Sequence, residues 1–139
     1  MTRINVIPPE KLTDQHLIAE YRELPRVFAL ARHLAPREVV PTYRLGSGHV
    51  KFFYPLTGWL ARRQASLIVE CQRRGFAVQH TTPPVPLEGL DGDWIPTSEA
   101  RTANIERLRA KLRAKPGFYR FHGEPVDQSF YDQDSREGR

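Results

Sequence analysis

The run Thr13-Asp14-Gln15-His16-Leu17-Ile18-Ala19-Glu20-Tyr21-Arg22-Glu23-Leu24-Pro25-Arg26-Val27-Phe28 decides how this chain is read. Thr13 or Asp14 is placed to cap a helix, and Leu17, Tyr21, Leu24, Phe28 and Ala31 then recur at helical spacing as one apolar packing face. Pro36 marks its end. Pro25 has no backbone donor, so the pattern predicts a helix that bends near residue 21 or divides into two pieces.

Residues 36 to 54 read as a loop-rich connection in which Gly46-Ser47-Gly48 precedes an aromatic cluster, Val50-Lys51-Phe52-Phe53-Tyr54. A second helix is predicted over about residues 55 to 74, with Leu56, Leu60, Leu67, Ile68 and Cys71 inward and Arg62, Arg63, Arg73 and Arg74 largely outward. Gly75 would cap its C-terminus. Pro83, Pro84, Pro86 and Pro96 predict irregular chain over most of residues 76 to 97. Ser98 and Glu99 can open a third helix that runs to about Lys115 and stops at Pro116-Gly117, followed by the aromatic patch Phe118-Tyr119-Arg120-Phe121-His122-Gly123, where Phe118 and Phe121 read as core packing. The expected fold is all-α: a compact three-helix domain with irregular connecting loops.

One domain suits 139 residues. The single cysteine, Cys71, cannot form an internal disulfide and reads as a buried thiol in a helix, which points to an intracellular, cytoplasmic protein. No apolar run approaches the roughly 18 residues of a membrane span, so no membrane partner is expected. His33, His49, His80 and His122 show no metal-ligand spacing, and neither a metal nor another cofactor is expected. The net charge is +5, unevenly spread: Glu124, Asp127, Asp132, Asp134 and Glu137 stand against Arg136 and Arg139, so residues 124–139 read as an acidic flexible tail on a strongly basic body, 1–123. Such a body suits a polyanion.

The first residues, Met1-Thr2-Arg3-Ile4-Asn5, offer a nucleophile if Met1 is removed. An α-amine titrates near 8 and a lysine near 10.4, so at neutral pH far more of the α-amine is unprotonated, and nearby guanidinium groups would increase that fraction. On the predicted first helix Glu23 neighbours Arg26, and Arg22 neighbours Arg26. The group is either a solvated salt-bridge face or, if the chain start folds back onto the helix, a carboxylate and an arginine clamp beside the Thr2 amine. In the second case the amine could displace a base at a sugar C1′ while Glu23 stabilises the cationic intermediate. His16 is open to a structural role or to a phosphate or sugar contact. Arg107 and Lys111, four residues apart on the third helix, could follow phosphates along one strand.

Several stretches together resemble the family of pyrimidine-dimer DNA glycosylases and abasic-site lyases that the ultraviolet-repair endonuclease of T-even phages typifies. They are Met1-Thr2-Arg3-Ile4-Asn5, Asp14-Gln15-His16-Leu17, Ala19-Glu20-Tyr21-Arg22-Glu23-Leu24-Pro25-Arg26-Val27, Leu45-Gly46, Gly48-His49-Val50, Phe52-Phe53-Tyr54, Glu70-Cys71 and Arg74-Gly75-Phe76. The resemblance covers about residues 1 to 123. It implies a three-helix protein whose N-terminal segment packs between helices, with Thr2 as nucleophile and Glu23 as the essential acid. It also implies that Arg3, His16, Arg22, Arg26, Arg107, Lys111, Tyr119 and Arg120 contact DNA or substrate. The implied partner is double-stranded DNA containing ultraviolet photoproducts, approached by a monomer that cleaves the glycosidic bond of the 5′ pyrimidine of a cis-syn dimer and then nicks the strand by β-elimination.

The aromatic patch departs from the family's tryptophan- and tyrosine-rich end, since Phe118, Phe121 and His122 lack the indole and two phenols, and the segment after Gly123 exceeds the family's pattern. Two other readings stay open: an enzyme of the same mechanism acting mainly on abasic sites or oxidised pyrimidines, and a noncatalytic DNA-binding module.

Overall fold

The computed structural model describes residues 3–34 and 40–132. Thr2, Pro36 and residues 133–139 of the acidic segment lie outside the described residues. Three long helices carry the fold: α1, Asp14–Leu34; α3, Thr57–Arg73; and α4, Ser98–Ala114. A one-turn helix, α2 (His49–Phe52), precedes α3, a 3-10 turn spans Pro9–Lys11, and a two-stranded ribbon pairs β1, Arg120–Phe121, with β2, Glu124–Pro125.

Helix α1 begins at a threonine cap: the Thr13 hydroxyl accepts the His16 N–H at 3.3 Å. Leu17, Leu24, Val27, Phe28 and Ala31 are buried, and α1 packs on α3. Cutting Leu24 to alanine would cost about 2–5 kcal/mol. The helix does not divide at Pro25; it runs unbroken across it. The Tyr21 carbonyl, which an N–H at position 25 would have served, instead accepts from Gln64 Nε2 of α3 at 3.0 Å. A neighbouring helix supplies the donor that proline lacks.

The N-terminus of α3 has no side-chain cap. Its orphan amides are served by the proline-rich loop: Thr57 N–H and Oγ1 both donate to Leu90 O, and Trp59 N–H donates to Gly92 O. That loop can approach only because position 58 is glycine, since a Cβ there would run into the Asp91 carbonyl oxygen. Gly75, at φ 82°, ends the helix in the left-handed conformation, as its sequence position implies.

Two arginines, one within α3 and one at its C-cap, depart from the expected outward face. Arg63 and Arg74 are internal. Arg63 grips Glu20 with Nε and Nη2 at 2.7 and 3.0 Å, and donates Nη1 to Ile7 O at 2.6 Å. Arg74 pairs with Glu70 and Asp14, donates to the carbonyls of Pro9, Glu10 and Leu12, and lies 4.8 Å from the Phe121 ring centroid. Both point inward because acidic and carbonyl partners converge there, an effect that helical periodicity cannot register. Arg62 and Arg73 remain exposed.

Thr97 caps α4, its hydroxyl accepting the Ala100 N–H at 3.0 Å. Ala100, Ile105, Leu108 and Leu112 turn inward. Phe53 anchors the aromatic cluster, stacking on Trp59 at 5.4 Å and meeting Phe52 and Trp94 edge-on. Cys71 is buried, and burial pushes its thiol up to about 11.

Phe118, expected in the core, is half exposed, with Lys115 Nζ 4.9 Å from its ring centroid. Phe121 packs beneath Arg74 and beside Phe130. In the acidic segment Glu124, Pro125, Asp127, Gln128 and Ser129 are exposed, while Val126, Phe130 and Tyr131 turn toward the core. Asp14 accepts the backbone N–H groups of His122 and Gly123 at the ribbon's turn, Tyr131 is fully buried, and Arg109 pairs with Asp132 at 2.8 Å. These aromatic and ionic anchors are individually short-range, so composition alone conceals them.

Candidate active site

The extended N-terminal segment is fixed residue by residue. Ile4 N–H donates to His49 Nε2 at 2.9 Å, and Val6 N–H donates to Asn104 Oδ1 at 2.7 Å. The Asn5 amide bridges the two flanking helices: its Nδ2 donates to Glu20 of α1, while its Oδ1 accepts from Asn104 Nδ2 of α4. Ile7 O is held by Arg63 of α3. With Ile4, Val6 and Ile7 buried between them, the three long helices and α2 all grip this segment.

Every polar member of that network is satisfied by another, which is what permits an ion pair in the interior. Its outcome is positional: Arg3 reaches a cleft of about 200 Å3 between α1 and α4, lined also by His16, Glu23, Arg107, Lys111 and Tyr119. Six of the residues singled out from the sequence meet there. Arg3, Arg107 and Lys111 bring positive charge around the Glu23 carboxylate. Burial, with Arg107 adding to it, pulls the Arg3 guanidinium below its usual value, while Glu23 opposes the shift by favouring the charged form. The cleft thus sets the Glu23 carboxylate among three cationic side chains.

His16 forms one wall. Its ring stacks on Tyr119 at 4.5 Å, and burial, reinforced by Lys111, lowers its pKa to about 4. It is a neutral imidazole at physiological pH. His49 is neutral too, held at about 4 chiefly by burial.

The remaining sequence candidates lie elsewhere. Arg22 is exposed and lines a separate cavity of about 520 Å3 with Tyr21, Pro25, Gln64, His80 and Pro84. Arg26 is exposed on α1 and lines neither cavity. Arg120 is exposed, its guanidinium donating to Gly123 O at 3.0 Å. Thr2 lies outside the described residues, one peptide bond from Arg3.

The sequence reading missed the residues that hold the site together: His49, Asn5, Asn104 and the Glu20–Arg63 pair. Glu20 lies in the same helix as Glu23 and carries no distinguishing mark. His49 falls in one of the stretches that resemble the family, Gly48-His49-Val50, but nothing in its spacing points to the Ile4 amide.

A comparison with protein-family models matches residues 1–83 to the pyrimidine dimer DNA glycosylase family. The match spans more than half of the chain, so the chain belongs to that family. Membership makes it a DNA-repair glycosylase with DNA as its substrate. The matched stretch contains Arg3, His16, Arg22, Glu23 and Arg26; Arg107, Lys111, Tyr119 and Arg120 lie beyond it.

Proposed function

We propose that the protein is a bifunctional glycosylase and abasic-site lyase that uses the α-amine of Thr2, exposed by removal of Met1, as its nucleophile. Its substrate is duplex DNA carrying a cis-syn cyclobutane pyrimidine dimer, bound by a monomer in the cytoplasm. The observation that supports this most is the anchoring of residues 4 to 7 by four helices, which carries Arg3 into the cleft that holds Glu23. Position 2 is covalently tied to Arg3, and a binding module would have no need of so rigid a chain start.

The chemistry proceeds by substitution. The amine nitrogen bonds to C1′ of the 5′ nucleotide as the bond from C1′ to the pyrimidine nitrogen breaks, and the bonding pair leaves with the base. Loss of the amine proton and opening of the sugar ring give a Schiff base. Glu23 stabilises the positive charge at C1′ and relays the proton to the ring oxygen. The Schiff base acidifies C2′–H; removal of that proton expels the 3′ phosphate by β-elimination, and hydrolysis returns the free amine. Arg3, Arg107 and Lys111 favour the neutral amine by like-charge repulsion and hold the phosphates. Arg22, Arg26 and Arg120 are assigned to the surrounding duplex, and Tyr119, stacked on His16, to the substrate-facing wall of the cleft.

Borohydride reduction during turnover tests the nucleophile. Trapping on a dimer duplex yields a covalent adduct that mass spectrometry maps to the mature N-terminus. Active protein that gives no adduct, or one mapped to a lysine, would remove Thr2 from the mechanism. Parallel reactions on an abasic site and an oxidised pyrimidine test lesion choice, with the dimer cleaved most efficiently.

A further inference from the structure

The segment beyond Gly123 plays no part in the chemistry above, yet Tyr131 reaches the wall of the cleft. Its Oη accepts the Thr13 N–H at 3.0 Å and lies 2.8 Å from His16 Nδ1. Thr13 Oγ1, which accepts the His16 N–H, lies 2.9 Å from the same ring nitrogen. His16 Nε2 is buried and makes no hydrogen bond to any described residue. One edge of the ring is therefore held, while the Nε2 edge, shielded from water in the cleft wall, has no hydrogen-bond partner among the described residues.

We propose that Tyr131 is a positioning residue: it donates its hydroxyl proton to His16 Nδ1, fixes the ring as the tautomer protonated at Nε2, and so presents that N–H to a phosphate or sugar oxygen of DNA in the cleft. Nδ1 has a single lone pair, and of the two hydroxyls beside it the phenol of Tyr131 is both the nearer and the more acidic, its oxygen already accepting the Thr13 N–H; we assign the proton on that lone pair to Tyr131, and the Thr13 hydroxyl then turns its own elsewhere. A neutral imidazole that accepts at Nδ1 carries its hydrogen at Nε2. The ring is neutral because burial and Lys111 keep it so. Tyr119 fixes the ring plane by stacking.

The tautomer matters because the opposite one would turn the Nε2 lone pair toward an anionic oxygen, a repulsive contact. The Nε2–H form adds a directed donor beside Arg107 and Lys111 without burying a further charge. Residues of the segment beyond Gly123 thus govern a side chain of α1, more than a hundred positions earlier in sequence. The identity of the acceptor rests on the proposed DNA chemistry; the tautomer does not.

Two measurements test this. In 15N-labelled protein at neutral pH, long-range proton–nitrogen correlation spectra show His16 as the Nε2–H tautomer, and Tyr131→Phe shifts it toward a mixture. A wild-type ring protonated at Nδ1, or a variant spectrum unchanged from wild type, overturns the proposal, and the wild-type measurement stands even if the variant folds poorly. In fluorescence anisotropy with a duplex carrying a tetrahydrofuran abasic analogue, Tyr131→Phe weakens binding about fivefold. In a His16→Gln background, whose amide supplies a donor without needing a tautomer, the same substitution has less than about a twofold effect. Equal losses in both backgrounds overturn the coupling. A wild-type Nε2–H tautomer in protein without affinity for this duplex supports the Tyr131–His16 arrangement while overturning the DNA reading, so the two fail separately.

Discussion

The Ile4 N–H donates to His49 Nε2 at 2.9 Å, while His49 Nδ1 lies 2.9 Å from the Arg44 carbonyl oxygen, so one buried ring ties the N-terminal segment to the loop before α2. His49→Phe keeps an aromatic ring but strands the Ile4 donor, a loss of about 1–3 kcal/mol. Thermal melting should report that loss. Borohydride trapping should fall further than DNA affinity does, because the segment carrying the proposed nucleophile is loosened while Arg107 and Lys111 stay in place.

Both His16 and His49 titrate near 4 in the folded protein, against an ordinary value of 6.5. Between those values the unfolded chain binds more protons than the folded one. Their contribution is thus complete above pH 6.5 and is lost progressively as pH falls toward 4. Urea titrations across this range should show falling midpoints, with a shallower fall in His49→Phe than in wild type.

The ion pairs of Arg62 and Arg63 should behave oppositely although the residues are adjacent. Arg63 and Glu20 side chains are 6% and 0% exposed, so Arg63→Ala leaves a buried carboxylate without its cation and should cost about 3–5 kcal/mol. Arg62 pairs with Asp93 in solvent, and Arg62→Ala should change stability by less than about 1 kcal/mol. Chemical denaturation of the two variants makes the comparison.

Glu23→Gln removes charge with little change in size. Binding to dimer duplex should stay within about threefold of wild type, while single-turnover base release drops by about a hundredfold or more. Near-normal release would displace Glu23 from its assigned role.

Arg107→Ala and Lys111→Ala should each weaken duplex binding and lower the slope of log affinity against log salt by about one. An unchanged slope in anisotropy titrations from low to moderate salt would place that residue away from the phosphates.

The three long helices were legible because Leu17, Leu24 and Phe28, or Leu60 and Leu67, repeat at a period that local chain geometry imposes. Caps at Thr13 and Gly75 were legible for the same reason. What escaped was set by distant partners. Pro25 reads as a bend or break because Gln64, which serves the stranded Tyr21 carbonyl, lies 43 positions beyond Tyr21. Arg63 and Arg74 read as surface residues because Glu20, Asp14 and the carbonyls that neutralise them come from other elements. Of the candidate site, the resemblance supplied Arg3, His16, Glu23, Arg107, Lys111 and Tyr119, but spacing could not bring α1 and α4 together. Asn5 and Asn104, which do so, look like any other surface amides.

Arg74 fastens the lead-in to α1, the end of α3 and the ribbon beyond α4 through a single guanidinium. Local fraying of any one of them strips donors or acceptors from the other two, so these three regions share one opening event. In native-state amide exchange they should gain and lose protection in concert, even though they are dispersed along the chain.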